Sequence, residues 1–355
     1  MEKGNQVLIK QAKLMASNPS ERTICARLMN DRFALCLPRE EFDEKRVADS
    51  IKELQREFSG NSFHLHTYMG VYEIRDRDEA VSIMVDKANI AADTIKNNYD
   101  CCVAYYDEHL LEISIEQRRL LGEFEPALQN DEFVMYLQPQ VKRDGAAKGA
   151  EALVRWVHPS RGILTPYAFI DILENAGLIY KLDLYIWEKA AQKLAEWKEK
   201  GYGSYHISVN ISTKDFYIID IYETFTGLIN KYGIAASNLH LEITETTLMT
   251  DFEKNMNIIH KLQGVGFRVE IDDFGSGYSS LNMLKDISAD VLKIDMGFLR
   301  KSENEVKGQD ILESIITLAG KIGMDVITEG VETKKQLDML TMMGCHEFQG
   351  YYFSK

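Results

Sequence analysis

Residues 269–281, VEIDDFGSGYSSL, end an apolar run in two adjacent carboxylates, Asp272 and Asp273, and open at once into a loop of glycines and serines. Neighbouring acids raise each other's cost of ionisation, and burial raises it further unless something positive compensates. Comparable polar residues interrupt other short apolar segments from Asp131 onward: Gln138, Glu151, Arg155, Asn210, Glu242, Lys293, Asp295, Glu329 and Gln349. Taken singly, Gln138, Asp295 or Gln349 reads as a satisfied structural group. Five carboxylates gathered together, Glu151, Glu242, Asp272, Asp273 and Glu329, would repel one another, and hard divalent cations with oxygen ligands are the simplest remedy. Asn210 adds a neutral oxygen. Adjacent Asp272 and Asp273 allow one carboxylate to bridge two ions while the other binds one. Bridged ions about 3.5 to 4 Å apart activate a water and stabilise in-line displacement at phosphorus. Two divalent ions together with Lys293 and Arg155 outweigh the five carboxylates by one charge, so such a pocket attracts a phosphodiester. The glycines that follow let the loop approach metals or substrate closely.

Such residues can meet only if the chain brings distant segments to one place. The segments FVMYLQPQV, GAEALVRWV, YHISVNIS, LHLEITE, FRVEIDDF, VLKIDMGFL, DVITEGV and FQGYYF read as strands, and patterns such as IYETFTGLINKYG, MNIIHKLQGVG and ILESIITLAGKIG read as helices between them. Eight strands with intervening helices predict a (β/α)8 TIM-like barrel of the α/β class, with the polar residues at the mouth formed by the strands' C-terminal ends. Only KRDGAAKG joins the first two strands, a hairpin connection, so that pair is expected to be antiparallel. Residues 1–111 have a different rhythm of short strands and helices, which predicts a smaller α/β domain. The charged stretch at 112–130 reads as a helix connecting it to a second domain over 112–355.

Composition sets limits. The 355 residues are 45% hydrophobic and 27% charged, as in an ordinary soluble globular protein, and no apolar run is long enough to span a bilayer. The start lacks the pattern of a signal peptide. Five cysteines without a C-x-x-C pair predict free thiols in a reducing cytoplasm. A formal net charge of -14 argues against a nucleic-acid duplex as partner, without excluding a small phosphate ligand in a locally positive pocket. The eight histidines show no shared spacing, and His158 reads as a support for the loop after its strand.

Glu151, Ala152 and Leu153 within GAEALVRWVHP, followed in order by VNIS, LEITE, IDDFGSGYSSL, LKID, TEGVET and QGYYF and preceded by YLQPQ, resemble the EAL-domain cyclic di-GMP phosphodiesterases from about residue 133 to the end. The resemblance implies that Glu151, Asn210, Glu242 and Asp272 hold one Mg2+ or Mn2+ ion, with Asp272 bridging to a second held by Asp273 and Glu329. It implies that Lys293 positions or polarises the attacking water, that Gln138, Arg155 and Gln349 touch substrate, and that Glu245 anchors the loop DFGSGYSS. It also implies that Asp295 and Glu332 are supporting residues near the metals. The implied reaction is hydrolysis of cyclic di-GMP to linear 5'-pGpG by a homodimer formed through this domain.

The first region resembles a GGDEF domain whose hairpin motif has become Met29, Asn30, Asp31, Arg32 and Phe33. Both glycines of the motif are gone, Arg32 stands where an acid would hold a metal, and SERT occupies the place of the R-x-x-D inhibitory site. Cyclase activity is therefore not expected. The first strand of such a domain and the last helix of the barrel are also missing, so both ends are expected to be trimmed. Two other functions compete: a non-catalytic cyclic di-GMP receptor or scaffold, and an unrelated metal-dependent barrel hydrolase acting on another phosphoester.

Overall fold

A computed structural model describes residues 2–16, 20–59, 65–96, 98, 101–274, 287–295 and 305–354. The chain divides into two compact units, Met1–Arg119 and Leu120–Lys355.

Among its described residues the first unit carries four short strands. β1 (Ile24–Arg27) and β2 (Phe33–Cys36) form an antiparallel hairpin, and β3 (Met69–Val71) and β4 (Val103–Tyr105) pair in parallel. Helices Glu2–Ala16, Glu44–Phe58 and Val81–Asp93 accompany them. The hairpin closes through Arg32 N donating to Met29 O at 2.8 Å, with Asn30 at φ 50°. Asparagine tolerates that left-handed conformation better than most residues, which explains a turn without the expected glycines. β3 is shorter than FHLHTYMGVYEI predicts.

The second unit is the barrel. Strands β5 (Phe133–Lys142), β6 (Ala147–His158), β8 (His206–Ile211), β9 (Leu239–Thr244), β10 (Arg268–Asp272), β11 (Val291–Asp295), β12 (Asp325–Glu329) and β13 (Glu347–Phe348) follow one another around a closed circuit. β5 runs antiparallel to both its neighbours, β6 and β13, while the other pairs are parallel. The hairpin therefore reverses the first strand, as the short connection requires. β7 (Gly162–Leu164) extends β6 outside the circuit.

Helices Ile179–Glu199, Ile221–Tyr232, Phe252–Val265, Glu305–Lys321 and Lys334–Met342 follow β7, β8, β9, β11 and β12 respectively. Their starts and stops obey local chemistry. Asp220 caps one N-terminus by accepting from Glu223 N, Thr333 and Gln336 form a capping box at another, and Gly233 ends a helix in the left-handed conformation. Burial of large aromatics holds the layers together. Phe133 packs against Phe124, Trp156 and Phe169 at ring distances of 5.7, 4.8 and 5.7 Å, and Trp187 meets Phe225 at 4.5 Å.

Two further segments differ from their sequence patterns. The helix read at 112–130 begins earlier and spans Glu108–Gln129, its first turn helped by Leu110 N donating to Asp107. FQGYYF alternates like a strand, yet β13 ends at Phe348. Beyond it Gly350, at φ 150°, presses so closely on the Val331 backbone that any β-carbon would overlap it. Val331 N donates to Gln349 O at 3.1 Å and Tyr352 N to Val331 O at 2.9 Å. Pairing with the loop after β12 thus replaces further barrel pairing. All five cysteines are free thiols, and no helix among the described residues is long and apolar enough to cross a membrane.

Candidate active site

Side chains alternate across a strand, so every second residue of a barrel strand points inward. Glu151, Asn210, Glu242, Asp272, Lys293 and Glu329 occupy such positions on six successive strands, three of them at or next to a C-terminal end. Their centre is the ammonium of Lys293, which is wholly buried on β11. It lies 2.8 Å from Glu329 Oε1, 2.9 Å from Glu242 Oε2, and 3.3 Å from both Glu151 Oε2 and Asp272 Oδ1.

A second set of contacts orients Glu151. Asn210 Nδ2 donates to its Oε1 at 3.2 Å and Gln349 Nε2 to its Oε2 at 2.5 Å. Gln349 also donates to Gln138 Oε1 at 2.9 Å, and Gln138 faces Glu151 directly across the β5–β6 ladder. Asn210 is itself steadied from behind, where Trp187 Nε1 donates to its carbonyl at 2.9 Å. The end of β10 is tied to β11 by Phe274 N donating to Lys293 O at 3.3 Å. Between them Asp273 adopts φ 57°, a turn that leaves it exposed while Phe274 returns to the core.

One ammonium has three protons and here faces four carboxylates, so hydrogen bonding is incomplete. Glu242 Oε1 meets no donor. Glu242 Oε2, Asp272 Oδ1 and Glu329 Oε1 touch Lys293 at ion-pair distance without hydrogen-bond geometry. The electrostatics follow. Burial, and then the Glu151 charge, push Glu242 well above the usual carboxylate range. Burial lifts Glu329 to about 8 against the pull of Lys293. Burial also acts to raise Glu151, but Lys293 and the amides of Gln349 and Asn210 hold it below its ordinary value. For Lys293, desolvation is outweighed by Glu151, Glu242, Glu329 and Asp272, and its pKa stands well above normal. Partial desolvation and Asp272 raise Asp273. Anionic oxygens left unpaired in a dry pocket are the expected signature of cation ligands. The donor set, carboxylates plus one amide, suits hard ions such as Mg2+ or Mn2+.

The remaining predicted residues stand around this centre. Asp295 ends β11 in register with Glu329, and the exposed Glu332 follows β12 with its backbone N donating to Gln336. Glu245 opens helix Glu245–Thr250 directly after β9, but residues 275–280, the loop it is expected to anchor, lie outside the described residues. Arg155, four residues after Glu151 on the same face, donates to Val154 O at 2.8 Å and stacks 5.7 Å from the Tyr136 ring centre. His158 supports its loop as predicted: Ser160 N donates to its Nδ1 at 3.2 Å, and its Nε2 lies 2.9 Å from Glu123. Sequence reasoning passed over Gln140, His206, Ser208, His240 and Glu270, which are also buried in the barrel. Period-two alternation would have revealed them, because Ser208, His240 and Glu270 precede Asn210, Glu242 and Asp272 by two residues, His206 precedes Asn210 by four, and Gln140 follows Gln138 by two.

The profile of the EAL domain matches residues 122–355, and that of the diguanylate cyclase GGDEF domain matches residues 1–100. Over 99% of its length the chain is 30% identical to the bifunctional diguanylate cyclase/cyclic di-GMP phosphodiesterase MucR of Pseudomonas aeruginosa, covering 52% of that protein. It is 33% identical to the Escherichia coli cyclic di-GMP phosphodiesterase PdeR over 64% of the chain and 34% of that relative. Among solved structures, the MucR phosphodiesterase in complex with cyclic di-GMP superposes with a TM-score of 0.64 at 33% identity, covering 67% of this chain and 96% of that one. The chain spans about half the length, or less, of the curated relatives it matches.

Proposed function

The chain belongs to the EAL domain family, and from that premise we propose that it hydrolyses one phosphodiester of cyclic di-GMP to give linear 5'-pGpG. What carries this reading is the meeting of Glu151, Glu242, Asp272 and Glu329 on Lys293 with several of their oxygens unpaired. Glu151, Asn210, Glu242 and Asp272 would hold one divalent ion, and Asp272, Asp273 and Glu329 a second, either Mg2+ or Mn2+. When bound, such a pair of ions activates water and offsets the charge that develops at phosphorus.

The chain's own residues do the rest. Lys293 draws carboxylates from four strands into one place and limits their mutual repulsion, which preorganises the cluster. Gln349 and Asn210 fix both oxygens of Glu151, so this carboxylate enters the reaction in one orientation. Gln138, Arg155 and Gln349 lie on the side of the mouth formed by the reversed strand, where amides and a guanidinium suit the phosphates and guanine edges of a cyclic dinucleotide. Arg155 would leave its contact with Val154 O to do so. In the products, the water oxygen is bonded to phosphorus and the released ribose oxygen carries a proton. Asp295, Glu332 and Glu245 act as supports of the mouth and its loop. The GGDEF-like unit is inactive as a cyclase, since Asn30, Asp31 and Arg32 at the hairpin tip offer neither a glycine cradle for phosphates nor the motif's acid.

Incubation with cyclic di-GMP and Mg2+ or Mn2+, followed by chromatography, tests this reading. The expected product is pGpG, absent with Glu151→Ala, and no cyclic di-GMP forms from GTP. Binding of cyclic di-GMP without turnover would replace the enzyme by a receptor.

A further inference from the structure

Register pairing between β6 and β8 ends at Glu151 and Ser208, two residues before Asn210. On its other side β8 stays paired with β9 as far as Ile211. Asn210 therefore stands where β6 no longer supports the strand, although its Nδ2 must meet Glu151 Oε1 across that gap at 3.2 Å. With Nδ2 committed to Glu151, Oδ1 is the atom of this amide left for an ion.

Helix Ile179–Glu199 supplies the missing support. Trp187, wholly buried, donates through Nε1 to Asn210 O at 2.9 Å, and its ring is fixed against Phe225 at 4.5 Å. Asp183 stands one turn earlier on the same helix, in the i, i+4 relation that sets two side chains on one face. It is hydrogen-bonded to Asp215, which is completely buried and whose Oδ2 accepts from Ser212 N at 2.9 Å. One helix face thus grips both ends of the segment 210–215. Between those ends, Thr213 Oγ1 lies 2.7 Å from Thr247 Oγ1 in helix Glu245–Thr250, which follows the strand bearing Glu242.

The grip at Asp215 needs a proton. Two buried carboxyl groups at hydrogen-bond distance cannot both be charged, since a carboxylate only accepts. Burial, and then the Asp215 charge, raise Asp183 well above the usual carboxylate range, which makes it the donor. Burial raises Asp215 as well, against the pull of its bonds to Asp183 and Ser212 N. Glu174 also bears on Asp183; it is itself raised by burial and by Asp171 against Lys214, whose Nζ donates to Glu174 O.

We propose that Asp183 and Trp187 are positioning residues for Asn210: the helix face they form sets this amide in place, and with it the affinity of the ion that Glu151, Asn210, Glu242 and Asp272 would hold. The inference rests on reading that cluster as a metal centre. Groups that orient a ligand from behind tune affinity in this way without touching the ion.

Titration of the full chain with Mn2+, followed by electron paramagnetic resonance in the absence of nucleotide, tests this. Trp187→Phe keeps an aromatic ring in the helix and removes the indole N–H. Asp183→Leu removes the hydrogen bond to Asp215, whereas Asp183→Asn restores a donor that needs no shared proton. Mn2+ affinity is expected to fall about 10-fold or more in Trp187→Phe and Asp183→Leu, and to match the parent in Asp183→Asn. In turnover, excess Mn2+ should restore kcat of Trp187→Phe with KM for cyclic di-GMP unchanged, a split that a merely structural residue would not produce. Parent-like affinity in folded Trp187→Phe or Asp183→Leu would overturn the role of that residue, and a loss in Asp183→Asn equal to that in Asp183→Leu would overturn the hydrogen-bonded grip. A parent chain that binds no Mn2+ is a separate result, which would overturn the metal centre and this proposal together.

Discussion

Replacing Lys293 with methionine removes the only cation that touches Glu151, Glu242, Asp272 and Glu329 among the described residues, and keeps roughly the same volume. Breaking a buried ion pair from one side costs about 3–5 kcal/mol, because the partner charge stays behind without compensation. Four partners do not multiply that figure. Glu242 and Glu329 already have raised pKa values and relieve the repulsion by taking up protons. For a unit the size of Leu120–Lys355, about 2–4 °C of melting temperature per kcal/mol gives a loss of about 6–20 °C. Divalent ions should change this sharply. If the unpaired oxygens are metal ligands, an ion binding the folded state supplies the missing positive charge and stabilises by mass action. Thermal denaturation followed by circular dichroism, with chelator and then with saturating Mg2+, should show a larger metal-induced rise for Lys293→Met than for the parent. A variant as stable as the parent in chelator would refute the compensating role of Lys293. A variant destabilised in chelator but indifferent to Mg2+ and Mn2+ would refute the assignment of the carboxylates as ligands.

Glu151→Ala should lower turnover of cyclic di-GMP by at least about 100-fold while leaving the far-ultraviolet spectrum unchanged, since it removes the carboxylate that Lys293, Asn210 and Gln349 all address. Gly350→Ala should cost about 1–3 kcal/mol in urea denaturation, because its new methyl overlaps the Val331 backbone, and should also lower kcat by displacing the adjacent Gln349. Asp183 has its pKa raised well above normal by burial and by its hydrogen-bonded neighbour Asp215, which is raised as well. The folded state thus holds protons that the unfolded chain releases near pH 4, and stability falls as pH rises through the folded values. Asp183→Asn should flatten that fall and raise the melting temperature at neutral pH; a lower melting temperature there would contradict the pairing.

The barrel was legible because each strand is short, apolar and bounded by turn residues, and because a hairpin-length connection fixes the reversed first strand. The gathering of Glu151, Asn210, Glu242, Asp272 and Glu329 followed from the same fact, since inward-facing residues near the C-terminal ends of barrel strands have one place to go. What escaped were features set by three-dimensional neighbours. FQGYYF has the composition of a strand, but Gly350 lets the chain close on Val331, and that contact is not written in either segment alone. Lys293 gives no sign in the sequence that its ammonium is shared among four acids; only the circuit of strands makes it the hub.

The histidine layer shows where reading by motif stops. His206, His240 and Glu270 lie 34 and 30 residues apart, on three neighbouring strands, with no local spacing that marks them as partners. Strand register joins them. Ser208 pairs with His240 and Glu242 with Glu270, so the stagger between strands moves His206 and Glu270 onto His240 from opposite sides. The inward pattern that places acids at the mouth requires some residue two positions earlier on each strand. In an ordinary barrel interior those positions take branched apolar side chains. Here two of them, His240 and Glu270, carry an imidazole and a carboxylate at full burial and a third is Ser208, while His206 lies two positions deeper; hydrogen bonds of His240 to Glu270 and of His206 to Gln140 offset part of the cost of burying them. The partners of the deeper layer are therefore set by strand register and burial, which no single segment of the sequence displays.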